Sequence, residues 1–434
     1  MNLLLRVVSM NLDFRFAGVK VLSAEAWTVL LLLSVLVFHG RLYLRRSLFP
    51  VYIYAAIVLM MHTLGHLQGS SAVWPMAHVR PLLFAVILYQ LYVEEFDRHS
   101  VRVLIFSVLF VVVTLGLNVY GLYRHPIAVR EIVGGSAGSE ITQAYARLGI
   151  EGYGFFSGLP PLIPAVVYAI RKSSRFTVKL VGYLFIILSA LAIILSTVTT
   201  PLILMMLGLI GALMIGSLMN RFQAMAIAIF VLLIIVSFGP NRILRSAIPV
   251  LISISPSNDV ALRLRDVDYA LAGNFEVSET STELTTFETR FQRVFWNLEA
   301  FSRNPILGAS SQNHSAAYHL YWFYLLASLG LVGAFPYFYY IYKNVVSTSK
   351  RIDKEAGAYY MLSIALFIMM GLAKNVTGWF MYLVPFFIVP GLITWQYQES
   401  IKLTKIRTYN QLANHSDRAH EGETIMPKVG HHER

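Results

Sequence analysis

Cysteine is absent from the 434 residues of this chain. No disulfide, thiol nucleophile or thiolate metal site can therefore form, an absence that suits an export-side location. Charge is scarce as well. Asp, Glu, Lys and Arg make up 13% of the chain, against about 25% in an ordinary soluble domain. So little polar surface cannot cover a set of water-soluble domains. With 56% apolar residues and a mean hydropathy of +0.61, the composition is that of a polytopic membrane protein. Disorder and nucleic-acid binding are excluded as main themes, despite a net charge of +12. No cleavable signal pattern opens the chain, and no internal repeat of the transporter kind is evident.

What is present in quantity is long apolar runs. A helical span needs roughly 20 mostly apolar residues. Eleven segments meet or approach that length: about 25–40, 48–68, 80–96, 101–121, 153–170, 177–196, 199–218, 222–241, 320–342, 358–373 and 378–398. Residues 1–23 read as a poor first span or an interfacial helix, because Asp13, Arg15 and Lys20 follow an apolar start. Counting that stretch as a crossing makes twelve spans.

Orientation follows from Lys and Arg in short loops. Arg41, Arg45 and Arg46; Arg98 and Arg102; Arg171, Lys172, Arg175 and Lys179; Arg221; and Lys343, Lys350, Arg351 and Lys354 fall at every second loop. These loops and the tail are expected to be cytoplasmic. The opposite side receives the longer segments 69–79, 122–152 and 242–319. The expected organisation is an N-terminal transmembrane bundle over 1–241 and a large periplasmic loop over 242–319. C-terminal transmembrane helices over 320–398 and a disordered cytoplasmic tail over 399–434 complete it.

The large loop carries the most informative residues. Thr285-Thr286-Phe287-Glu288 fits a capping box at the start of a helix. Phe287, Phe291, Val294, Leu298 and Phe301 recur at helical spacing and form one apolar face. Arg290, Arg293 and Asn297 share the neighbouring face, and Asn304-Pro305 ends the helix. Two guanidinium groups one turn apart suit a diphosphate, since each offers a fork of donors to phosphate oxygens. The same spacing also suits a solvated face paired with Glu288 and Glu299, or an anchor for anionic headgroups. His319 stands at the start of the following span, where a neutral imidazole can accept a proton. It can equally be an interfacial histidine beside an aromatic belt of Tyr318, Tyr321 and Trp322.

Arg80 opens a span behind Trp74, Pro75 and His78. It reads either as a cation facing a polar cavity or as one reaching back to the interface, and Lys374 carries the same two readings. His62 and His66 lie one turn apart with no third ligand evident, and His431 and His432 read as tail composition. Asp266 and Asp268 have Asp-x-Asp spacing but stand beside Arg265. No metal site and no cofactor are expected.

Read together, Arg290, the Asn304-Pro305-Ile306-Leu307-Gly308 turn, and His319 followed by Gly330 and Gly333 resemble the O-antigen ligase and O-antigen polymerase superfamily. The match covers roughly residues 290–335, about a tenth of the chain. Many spans, one large external loop and an internal C-terminus extend it. Gly149 to Pro161, just after Arg147, loosely resembles a glycine- and proline-containing span start of that family. The chain has Leu320 after the histidine where the family usually has Asn, Ser or Gln. His314-Ser315 fits that dipeptide but not the glycine spacing, so His314 is the second candidate. The family's Ser-Arg-Gly motif has no arginine at Thr199-Thr200-Pro201, which leaves Arg80, Arg124, Arg130 and Arg147 as replacements.

The resemblance implies an all-α, GT-C-like membrane glycosyltransferase with 11–12 spans, working at the periplasmic face of a bacterial inner membrane without a metal. Its donor would be an undecaprenyl-diphosphate-linked glycan. Its acceptor would be a second lipid-linked glycan (repeat-unit polymerase) or a lipid A core (ligase), with membrane lipids and a chain-length regulator as further partners. Arg290 and His319 take the catalytic roles, and Arg293, Arg80, Arg147 and His314 the substrate-binding ones. The missing Ser-Arg-Gly tilts the choice to a polymerase. A transporter or lipid flippase is the rival, but it would scatter ionisable groups along several spans, whereas polarity here is concentrated in one loop.

Overall fold

The computed structural model describes residues 15–16, 19–20, 45–67, 74–90, 98–125, 128–129, 144–145, 148–196, 198–216, 286–308, 320–376 and 378–404. The expected spans at 25–40 and 222–241 lie outside them, as do the tail beyond 404 and most of the large loop. The architecture is helical and polytopic, because a chain in lipid must satisfy its backbone donors and acceptors within each segment. Near the start, Arg15–Phe16 (β1) and Val19–Lys20 (β2) pair as short antiparallel strands. Within the stretch read as a poor first span or an interfacial helix, these four residues are extended, and the rest of 1–23 lies outside the described residues.

The helices are α1 (Phe49–Leu67), α2 (Trp74–Tyr89), α3 (Arg98–Arg124), α4 (Tyr153–Lys172), α5 (Phe176–Leu195) and α6 (Thr199–Met214). They continue with α7 (Thr286–Arg303), α8 (Tyr321–Ser349), α9 (Lys354–Ala373) and α10 (Trp379–Thr404). Six of them, α3, α4, α5, α8, α9 and α10, are long and apolar enough to cross a membrane. Apolar stretches of α1, α2 and α6 are shorter. α4 tightens to a 3₁₀ turn at Pro160–Leu162, where Pro160 and Pro161 lack the N–H an α-helix needs. α10 widens to a π turn at Val384–Ile388, around Pro385.

Burial sorts the helices into centre and rim. Of the most apolar window in each, 89% is buried in α4 and in α10, but only 28% in α5 and 39% in α3. α4 and α10 therefore form the middle, while α5 and α3, packed on each other, turn apolar side chains outward. In lipid that exposure costs nothing.

The basic loops gather at one end. Lys343 donates to the Arg46 carbonyl at 3.4 Å, and Arg45 to Gln90 at 3.2 Å. Lys172 pairs with Glu355 at 2.7 Å, and Arg175 with Glu399 at 2.8 Å. The Arg171 guanidinium caps the C-terminus of α6 through the carbonyls of Ala212, Leu213 and Ile215, and also donates to the Tyr359 hydroxyl. Alternate loops that the charge pattern groups together are thus neighbours in space. The opposite end carries the starts of α2, α4, α6 and α10, the ends of α1, α3, α5 and α9, and the turn after α7.

α8 is not one straight rod. Along an unbroken helix Tyr321 and Tyr337 would be about 24 Å apart, yet their ring centroids lie 6.4 Å apart. Trp322 and Phe338 are likewise 5.7 Å apart. The chain reverses at Gly330, whose φ of 58° and ψ of −167° break the helix. A short limb, 321–329, folds against a longer one, 331–349. The sequence leads one to expect a single span in which Gly330 and Gly333 allow close helix packing. Instead Gly330 is the point of reversal.

Candidate functional site

The site is built at the end of the bundle opposite the basic loops, around the break in α8. The second limb of α8 begins with free N–H groups, as every helix does. Here backbone carbonyls satisfy them: Leu331 donates to Pro305 at 2.9 Å and Val332 to Ile306 at 3.1 Å. The Asn304–Gly308 turn is thus inserted into the notch of the broken helix. Each residue of that turn has a reason. The Asn304 side chain accepts from Leu307 N–H at 3.4 Å, and its carbonyl accepts from Gly308 N–H at 2.8 Å. Pro305 stops α7 after Arg303. Gly308 has φ of 76°, and a Cβ there would lie 2.5 Å from the backbone of Ser328 and Gly330.

This docking fixes where α7 lies. α7 packs on α8, and its inward position is Asn297, which is buried with its Nδ2 unpaired. Positions 290 and 293 fall on the same face by helical spacing. Of the apolar face read from the sequence, Leu298 is exposed, and Val294 and Phe301 are half-buried. In a membrane protein apolar side chains can face lipid while polar ones turn to the protein, which inverts the pattern of a soluble amphipathic helix.

Beneath the notch is a closed aromatic cluster. Tyr321 and Tyr382 share a hydroxyl hydrogen bond of 3.0 Å, Tyr54 stacks on Tyr337, and Trp322 donates to the Ile368 carbonyl at 2.7 Å. Tyr321 and Trp322, expected in an interfacial belt, are instead buried because the short limb of α8 folds inward. The N–H of Tyr321 meets the Lys374 carbonyl at 3.3 Å, which ties the start of α8 to the end of α9. Leu320, directly before it, is also buried.

A second wall is the 148–153 segment. Asn118, buried in α3, donates to Thr114 and accepts from Glu151 N–H at 2.8 Å. Gly149, with φ of 78°, lets that segment lie against Leu117. The Lys374 ammonium stands 5.1 Å above the Tyr153 ring, and the neighbouring Asn375 has a buried, unpaired Oδ1. Asn118 and Asn375 carry no sequence signal that would single them out. Lys374 does, as a cation between two spans.

Arg80 is exposed on α2, at the same end. α2 adjoins α1 and α10, whereas α7 adjoins α8, so Arg80 and positions 290 and 293 belong to different walls. His319, His314 and Arg147 lie outside the described residues. Arg290 and Arg293 are described as helix positions. Arg124, an alternative cation, is exposed and stands 5.0 Å from the Tyr120 ring. Neither a protein-family model nor a curated protein matches the chain. Among the described residues, Asp and Glu within the span-forming helices occur only near the basic end, at Glu355 and Glu399.

Proposed function

We propose that the protein is a GT-C-like, metal-independent membrane glycosyltransferase that polymerises polyprenyl-diphosphate-linked oligosaccharide units at the periplasmic face of a bacterial inner membrane. The observation that carries this reading is the backbone contact between Asn304–Gly308 and Gly330. These are two separate stretches of the resemblance, and their contact gives the turn's asparagine, proline and glycine a common purpose. The turn ends the helix that bears Arg290 and Arg293, and the notch closes the limb that begins just after His319.

In the proposed reaction an acceptor hydroxyl gives its proton to the His319 imidazole, and its oxygen attacks the anomeric carbon of the donor. The bond from that carbon to the diphosphate oxygen breaks, and the electron pair leaves with the polyprenyl diphosphate. Arg290 and Arg293, with Arg80 and Arg147 at the rim, stabilise the charge that develops on the leaving group. A transporter is less well supported, since coupling ions or protons generally call for acids within the spans.

The purified protein, given polyprenyl-diphosphate repeat units alone, should produce a ladder of longer products. Transfer to a lipid A core without a ladder would make it a ligase instead, and neither product would overturn the reading. Arg290→Ala should lower the rate roughly 10²-fold or more, the scale of losing one preorganised donor. Arg290→Lys should recover part of that, since charge survives but the fork does not. A normal ladder from Arg290→Ala would reduce this arginine to a headgroup anchor.

Orientation has its own test, made clean by the lack of native cysteine. In intact spheroplasts an impermeant thiol reagent should label Ser281→Cys and spare Ser416→Cys. The reverse pattern would invert the proposed topology.

A further inference from the structure

α7 carries three large apolar residues, Phe295, Trp296 and Leu298, on the outside. Phe295 is 56% exposed and Trp296 45%, whereas Asn297 beside them is 2% exposed. A helix in water buries its apolar stripe and exposes its polar one. α7 cannot be a span either, since Glu288, Arg290, Arg293, Glu299 and Arg303 interrupt it. Apolar exposure does not stop at its end. Past the exposed polar residues Ser302, Arg303 and Asn304, Ile306 in the turn is 62% exposed. That turn is bonded to Leu331 and Val332 on the second limb of α8, where Phe335 is 66% exposed. Phe335 stands on the 331–349 limb of α8, and its exposed ring suits lipid. Exposed apolar side chains therefore stand on α7, on its turn and on the limb of α8 that holds the turn.

We propose that α7 is an interfacial helix embedded in the bilayer, in the leaflet opposite the basic loops. Phe295, Trp296 and Leu298 lie among the lipid chains, and the face of Asn297 is turned to the protein. The depth follows from chemistry. Glu299 and Arg303 stand on the outward side as an exposed ion pair one turn apart, which suits the headgroup boundary and not the hydrocarbon centre. Tryptophan has the same preference, with an apolar body and one polar N–H. A helix of this kind binds through its apolar area at the boundary between headgroups and acyl chains. The partner is the lipid surface itself. This inference holds whether or not the protein transfers sugars.

Because the chain lacks cysteine, nitroxide labels can be placed singly at Phe295→Cys, Leu298→Cys and Ser416→Cys in full-length protein in vesicles of phosphatidylethanolamine and phosphatidylglycerol. At 295 and 298, collisions with oxygen should exceed those with a water-soluble nickel chelate, and at 416 the ratio should be reversed. Nickel-dominated collisions at 295 and 298 would put α7 in water. Few collisions with either reagent would mean that protein covers this face, from elsewhere in the chain or from a second copy. Either result would overturn the proposal. A second measurement leaves the helix nearly native. Brominated lipid should quench tryptophan emission more strongly in the wild type than in Trp296→Phe. Equal quenchable fractions would remove Trp296 from the bilayer. Neither readout uses turnover, so failure here and failure of the glycosyltransferase reading remain distinct.

Discussion

Gly330→Ala is expected to release the loop helix from the bundle. At φ 58° and ψ −167°, the backbone occupies a region essentially reserved for glycine, at a cost of about 1–3 kcal/mol for any other residue. The added Cβ would also collide with the Ile306 carbonyl and lie 2.6 Å from the Gly308 nitrogen. Both are backbone atoms, so no side chain can rotate away. The least costly relief is to expel the turn, leaving the Leu331 and Val332 N–H groups without their carbonyl partners at about 1–3 kcal/mol each. Melting in detergent should fall, and a disulfide between Ile306→Cys and Leu331→Cys should form in the Gly330 background but not beside Gly330→Ala. Gly333→Ala should also lower melting, because its Cβ would lie 2.5 Å from the Leu329 Cβ, which no rotamer can move, but it carries no positive-φ penalty. Gly116→Ala, with nothing within 4 Å of the new Cβ, should be silent. Unchanged melting and full cross-linking in Gly330→Ala would show that the notch does not hold the turn.

The second large effect is expected at His319. If its imidazole is the general base of the proposed reaction, His319→Ala and His319→Gln should both abolish the ladder, since neither offers a basic nitrogen. Binding of the lipid-linked donor should survive, because the arginines are untouched. The wild-type rate should fall on acidification, as protonation of the imidazole removes the lone pair that accepts the acceptor's proton. Tyr321, two residues on, gives this test a control. Its hydroxyl is bonded to Tyr382 and its N–H to the Lys374 carbonyl, so it anchors the start of the short limb. Tyr321→Phe should lower the rate of the proposed reaction without changing the shape of its pH profile. Complementation of a polymerase-deficient strain separates the histidines. Full-length polymer from His319→Ala with loss in His314→Ala would transfer the role to His314, and polymer from both would remove histidine from the mechanism.

The sequence by itself determined the class of protein and the course of most of its chain. Scarce charge and long apolar runs require helices in lipid, because no other open structure satisfies the backbone there. The positions of α1, α3 to α6, α9 and α10 follow from those runs, and Asn304-Pro305 marks the end of α7. α2, by contrast, begins at Trp74, six residues before the expected span at 80–96. The alternation of basic loops anticipated which ones meet, as the Lys343–Arg46 and Arg175–Glu399 contacts bear out. These features are local or periodic, so one strand of text can carry them. Tertiary structure decided the rest. Nothing in the run from Tyr321 to Ser349 announces that Gly330 reverses the chain. A glycine in an apolar helix reads the same whether it packs closely or breaks, and only the turn arriving from residues 304–308 selects the break. The inward face of α7 was decided in the same way. Periodicity finds an apolar stripe but not the medium it meets, and here the seating of Pro305 and Ile306 on α8 turned Asn297 to the protein and Phe295 outward.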